Sequence, residues 1–96
     1  MNPQQQQRLQ NLLDGLAYST GVGNDELING ALNQLQAELG NNNNPAVRDS
    51  IRNYVEGSTL LADAARIGHQ GVVTFLVATC GVNADAGLNN TNTLHL

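Results

Sequence analysis

The chain has 96 residues, a net charge of −4 and a single cysteine, so it fits one small domain that contains no internal disulfide. Two tyrosines, one phenylalanine and four cationic residues supply neither the basic patch nor the aromatic platform of a nucleic-acid-binding surface. The N-terminal segment MNPQQQQRLQ lacks the basic start and apolar run of a secretory signal, and no apolar run reaches membrane-spanning length. We therefore expect a cytoplasmic protein that binds neither nucleic acid nor membranes.

Residues 3–17 predict the first helix, because leucines recur there at intervals of three and four residues and share one helical face: Leu9, Leu12, Leu13 and Leu16. Pro3 suits the first turn, where its missing N–H costs nothing. The segment STGVGN at residues 19–24 contains two glycines and predicts a loop between this helix and the next.

The second helix is predicted at residues 25–39, with Asn24 as its N-cap and Gly40 as its C-terminal stop. Asp25 and Glu26 then lie at the positive end of the helix dipole, where carboxylates are favourable. Apolar residues follow at helical spacing through Leu39, which predicts a core-facing side for this helix.

A third helix is predicted after the asparagine linker at residues 41–44. Asn44 and Pro45 have the residue types of an N-cap and a first helical residue, and Gly57 ends the helix. No alternation of apolar and polar residues occurs in the first 57 positions, so we expect no strand there.

Two further short helices are predicted at TLLADAARIG, which ends at Gly68, and at HQGVVTFLVATC, which ends near Gly81. Each is too short to be stable alone. Joined at a glycine they form a helical hairpin, and such a hairpin needs neighbours to cover both of its sides.

The opening of the hairpin returns near the C-terminus, where Leu94-His95 follows Leu61-Ala62 by 33 positions. A period of 33 residues is typical of ankyrin repeats, and residues 57–96 resemble that family. The remaining matches fall at the opening, the turn, the second helix and the exit: Gly57, Thr59, Ala64, Ala65, Gly68, His69, Val72, Val73, Leu76, Gly81 and Val82-Asn83-Ala84.

The chain departs from the family pattern at three places. Ala62 stands where the family has histidine, Leu60 replaces the proline, and the VNA segment is shifted by one residue. The resemblance predicts an all-α fold in which the N-terminal helices of residues 1–57 cap an ankyrin-type helix-turn-helix repeat at residues 58–96, as a fragment of an α-solenoid. The second and third helices are expected to form this cap, with or without the first.

The resemblance also implies a non-enzymatic module that binds another protein. Ankyrin-type repeats bind partners through their first helices and their β-turn fingers. On the first helix of the hairpin the corresponding partner-binding candidates are Asp63 and Arg66. On the finger they are Asp85, Leu88, Asn89 and Asn90.

The sequence offers no catalytic, cofactor or metal site. Cys80 has no second cysteine or histidine at metal spacing, and as a nucleophile it needs a base that only His69 or His95 can supply. We interpret both histidines as parts of the repeat framework. GVGN at residues 21–24 follows no strand, so we interpret it as a turn and not as a phosphate-binding loop.

Two alternative functions stay open. The chain is either the N-terminal part of a larger ankyrin-containing protein whose activity lies elsewhere, or a self-associating helical domain whose exposed repeat face binds another copy. The absence of lysine also fits a bacterial effector that works in the host cytosol beside ubiquitin-conjugating enzymes. Compositional drift in a chain rich in asparagine and glutamine explains that absence as well.

Overall fold

The computed structural model describes residues 2–41 and 43–84, and this part of the chain is helical without strands. Five α-helices follow one another, and a π-helical turn at Phe75–Thr79 continues the last of them. The helices are α1 (Pro3–Val22), α2 (Asp25–Leu39), α3 (Pro45–Glu56), α4 (Leu60–Arg66) and α5 (Gln70–Thr74). The predicted all-α class is therefore confirmed for the described residues.

Asparagines cap the three long helices. The side chains of Asn2, Asn24 and Asn44 accept hydrogen bonds from backbone N–H groups of the first turns of α1, α2 and α3, at 2.7, 3.1 and 3.0 Å. Each bond satisfies a donor that has no partner within the helix. The start of α2, its end at Gly40 and the start of α3 agree with the sequence prediction.

The predicted loop at residues 19–24 is wrong, because α1 continues through Val22. Ser19 and Thr20 are buried in the helix, and their hydroxyls donate to the carbonyls of Gly15 and Leu16, both at 2.7 Å. These bonds let polar side chains lie on the core side of a helix without losing hydrogen bonds. The helix ends only at Gly23, whose φ of 73° is readily adopted by glycine.

Helix α1 lies at the centre of the packing. It contacts α2, α3 and α4, while α3 also contacts the π-helical turn. The main neighbour of the α4–α5 hairpin is thus α1, which the sequence prediction allows in the cap beside α2 and α3 but does not require. The apolar residues form one cluster that includes Leu9, Leu13, Leu16, Ile28, Leu35, Ile51, Leu61, Val72 and Leu76.

Two polar contacts join α1 to its neighbours across the surface. The Arg8 guanidinium binds both carboxylate oxygens of Glu38 at 3.0 and 3.1 Å, which connects α1 to α2. The Tyr54 hydroxyl donates to Asp14 at 2.8 Å, which connects α3 to α1. Partial burial, followed by the hydrogen bond to the Asp14 carboxylate and its charge, raises the pKa of Tyr54 from 10 to about 12.

Because of the Tyr54–Asp14 hydrogen bond, we expect the folded chain to lose stability at high pH. The unfolded chain ionises Tyr54 near pH 10, whereas the folded chain keeps the proton to about pH 12. The contribution of Tyr54 to the free energy of unfolding is therefore complete below pH 10 and falls as the pH rises toward 12. Denaturant unfolding of the wild type and of Tyr54→Phe across this range measures the difference.

In a Tyr18→Phe background, Tyr54 is the remaining tyrosine, and its phenolate absorbance then reports the ionisation directly. We expect Tyr54→Phe to be less stable by about 1 kcal/mol at neutral pH, as for a typical hydrogen bond. The gap between the two proteins should shrink above pH 10. A difference in the free energy of unfolding that stays constant to pH 12 contradicts the raised pKa of Tyr54.

Candidate functional site

The α4–α5 hairpin has a buried side and an open side. Its large apolar residues point away from solvent, and α4 packs against α1 while the π-helical turn packs against α3. The fully or nearly fully buried residues of the hairpin are Leu60, Leu61, Ala64, Val72, Phe75, Leu76 and Cys80. The hairpin is therefore held by the N-terminal helices through one side only within the described residues.

The open side forms a groove of about 410 Å³ between α4 and α5. Its lining combines small residues with one valine and two polar side chains: Ala65, Gly68, Gln70, Val73 and Thr74. Val73 and Val77, one turn apart, are only partly buried. The groove is thus a shallow apolar surface with polar groups along its edge.

Asp63 and Arg66, the two described candidates for partner contact, lie together on α4. Arg66 Nη2 donates to Asp63 Oδ1 at 3.2 Å, and the Thr59 hydroxyl donates to Asp63 Oδ2 at 3.1 Å. The Arg66 side chain is 64 % exposed and that of Asp63 is 29 % exposed. The pair is therefore accessible, although each charge already has a partner. Asp85, Leu88, Asn89 and Asn90 lie outside the described residues.

His69 holds the turn between the two helices. Its Nδ1 accepts a hydrogen bond from the Val72 N–H at 3.2 Å, which makes the imidazole the N-cap of α5. Gly68 precedes it with a φ of 76°, in the left-handed region that glycine tolerates. His69 thus has a structural role at the turn between the two helices.

The end of the hairpin departs from regular α-helix. The Cys80 N–H donates to the Phe75 carbonyl at 3.0 Å, five residues back, so the turn contains one more residue than an α-helical turn. A regular helix that continued from Val72 and Leu76 would bury Thr79, whereas here Thr79 is exposed and Cys80 is buried. Gly81 then ends the turn with a φ of 72°.

Contacts with the rest of the fold fix this end of the hairpin. The Asn83 N–H donates to the Glu56 carboxylate at 3.2 Å, and the Asn43 side chain donates to the Thr79 carbonyl at 3.4 Å. The chain therefore leaves the hairpin beside the end of α3 and the linker that precedes α3.

The Cys80 thiol is unsuited to nucleophilic chemistry. Its burial raises the pKa to about 11, against an opposing effect of the Arg48 charge. With this pKa the Cys80 thiol is protonated at neutral pH. A thiol needs to ionise before it attacks a substrate or binds a metal. The described residues contain no group of three or more metal-ligating side chains. No helix among residues 2–41 and 43–84 is both long and apolar enough to cross a bilayer.

Comparison with known proteins gives no match: no family model, no curated protein and no solved structure matches the chain. The ankyrin-type repeat therefore stays a prediction from the residues.

The sequence predicts Asp63 and Arg66 as contact residues but does not predict most of the groove. In the ankyrin resemblance Ala65, Gly68 and Val73 belong to the repeat framework, and Gln70 and Thr74 carry no signal of a binding role. Helical spacing distinguishes Val73 and Val77 from the core residues, because around the helix axis they lie about 100° from Val72 and Leu76.

The N-cap predicts the effect of replacing His69. His69→Ala removes the acceptor for the Val72 N–H and should lower the free energy of unfolding by about 1 kcal/mol. His69→Asn should keep most of the stability, since asparagine is among the best N-cap residues. Chemical denaturation of the three proteins tests this. Equal losses for the two variants would show that the ring acts through packing and not as a cap.

Proposed function

We propose that the chain is a non-enzymatic protein-interaction module of ankyrin-repeat type, which binds a helical surface of another protein through the open side of its α4–α5 hairpin. The observation that carries the proposal is the asymmetry of the hairpin. Its bulky apolar residues are buried on one side, while small residues, two polar residues and the partly exposed Val73 form the groove on the other.

The two sides of the hairpin indicate what kind of partner fits. On the buried side the hairpin already packs against helices. Stacked helical hairpins bury a continuous core by repeating such contacts from one unit to the next. A second helical surface on the open side continues the same packing, with its apolar residues on Val73 and Val77 and its backbone close to Ala65 and Gly68.

The exposed charged and polar groups of the hairpin contribute to the choice of partner more than to affinity. An exposed ion pair such as Asp63–Arg66 is worth about 0–1 kcal/mol, because solvent screens it. Charges at the rim of an interface mainly steer encounter and exclude partners of the wrong sign. Gln70 and Thr74 are exposed beside the groove and can bind polar groups of a partner backbone.

A library of helical peptides, selected against the chain by display, tests the proposal. Selected peptides should carry an apolar stripe, and amide NMR shifts should place them on α4 and α5. Ala65→Gln fills the groove, whereas Ala37→Gln adds the same side chain at an exposed position of α2 outside it. We expect about tenfold weaker binding for Ala65→Gln and unchanged binding for Ala37→Gln, which corresponds to about 1.4 kcal/mol.

Two results contradict the proposal. Peptides that bind Ala65→Gln as tightly as the wild type place the interaction elsewhere. A chain whose solution mass doubles with concentration, and returns to that of a monomer in Ala65→Gln, assigns the groove to self-association instead. Circular dichroism of both variants excludes loss of the fold as the cause.

A further inference from the structure

A second groove lies on the outside of the α1–α2 pair, away from the hairpin. It measures about 380 Å³. The residues that line it come from both helices and include Leu12, Gly15 and Ser19 from α1, and Leu27, Gly30 and Ala31 from α2.

The exposed large apolar side chains of the described residues lie on these two helices. Tyr18, Val22 and Leu27 are 67, 58 and 49 % exposed. Tyr18 and Val22 are one turn apart on α1 and share a face with Gly15, while Leu27 lines the groove from α2. Scattered apolar residues are ordinary on a protein surface, but a group beside an apolar groove is typical of an interaction site.

Two glycines on the groove floor weaken the helices without an internal packing reason. Gly15 and Gly30 lie inside α1 and α2, where glycine costs about 1 kcal/mol relative to alanine. A Cβ added at either position meets no atom within 4 Å, so no neighbour in the described structure requires their small size. Their effect is to leave the floor open to the close approach of another backbone.

The charges beside the groove select its occupant. All four arginines of the chain are in ion pairs, with Glu38, Asp49 or Asp63. Glu26 lines the groove and Asp25 precedes it in the first turn of α2, and neither has an arginine partner. A second copy placed symmetrically here brings these carboxylates together, and an anionic lipid surface is likewise repelled.

We infer that the α1–α2 groove binds an amphipathic helix of another protein, with an apolar stripe flanked by lysine or arginine. The stripe lies over Gly15 and Gly30 and contacts Tyr18, Val22 and Leu27. The basic residues lie beside Asp25 and Glu26. This surface is separate from the α4–α5 groove and does not depend on the function proposed for it.

Titration with two synthetic peptides tests the inference. One is an amphipathic helix of leucine, alanine and lysine, and the other has glutamate in place of every lysine. Amide NMR spectra of the full chain should shift at α1 and α2 with the basic peptide. We expect its affinity to be about tenfold higher than that of the acidic peptide and to fall as salt is added.

Matched variants separate the groove from the general effects of charge and helix propensity. Glu26→Gln should weaken binding of the basic peptide about threefold, whereas Glu56→Gln removes the same charge at the end of α3 and should leave it unchanged. Gly30→Gln and Gly21→Gln both replace a helical glycine that has open space around it. Both should raise the thermal midpoint, but only Gly30→Gln, on the groove floor, should weaken binding about tenfold.

Three outcomes overturn the inference. The first is that the basic peptide shifts amides of α4 and α5 in place of those of α1 and α2. The second is that the acidic peptide binds as tightly as the basic one. The third is that Gly30→Gln and Gly21→Gln bind the basic peptide equally well. Since Gly30→Gln is expected to be more stable than the wild type, weaker binding by this variant cannot be attributed to unfolding.

Discussion

The burial of the apolar stripe of α1 is the interaction on which the rest of this structure depends. One helix contacts α2, α3 and α4, and its leucines belong to a single core cluster with residues from every other element. Helices as short as α4 and α5 do not persist in water without tertiary contacts. The hairpin exists because α1 covers its apolar side, and the contact of the π-helical turn with α3 adds to this support.

The same arrangement accounts for the α4–α5 groove and the α1–α2 groove. The α1–α2 pair and the α4–α5 pair both turn most of their large apolar side chains toward the common core, and small residues line the groove on the solvent side of each pair. In the hairpin these are Ala65 and Gly68, and in the N-terminal pair they are Gly15, Gly30 and Ala31. Pairs of helices with small residues between them leave room for a third helix, which is the common physical basis of the two binding proposals.

Much of this fold could be predicted from the sequence, because asparagine caps, glycine stops and leucine spacing act locally. The bounds of α2 and the start of α3 follow from Asn24, Gly40 and Pro45. The continuation of α1 through Ser19 and Thr20 could not, since it depends on hydroxyl bonds that form only once the helix exists. The π-helical turn has no local signal either, because burial of Cys80 against the assembled core selects it. The open grooves depend on which helices pack together, and spacing alone does not specify that.

Solvent accessibility of the valine methyl groups tests the central claim, that the hairpin is buried on one side and open on the other. Methyl NMR with a paramagnetic co-solute measures it in the monomeric full chain. The methyl signals of Val73 and Val77 should broaden strongly. Those of Leu61 and of the fully buried Val72 should broaden little. Equal protection of Val73 and Val72 would mean that the groove is already covered, and would contradict the account.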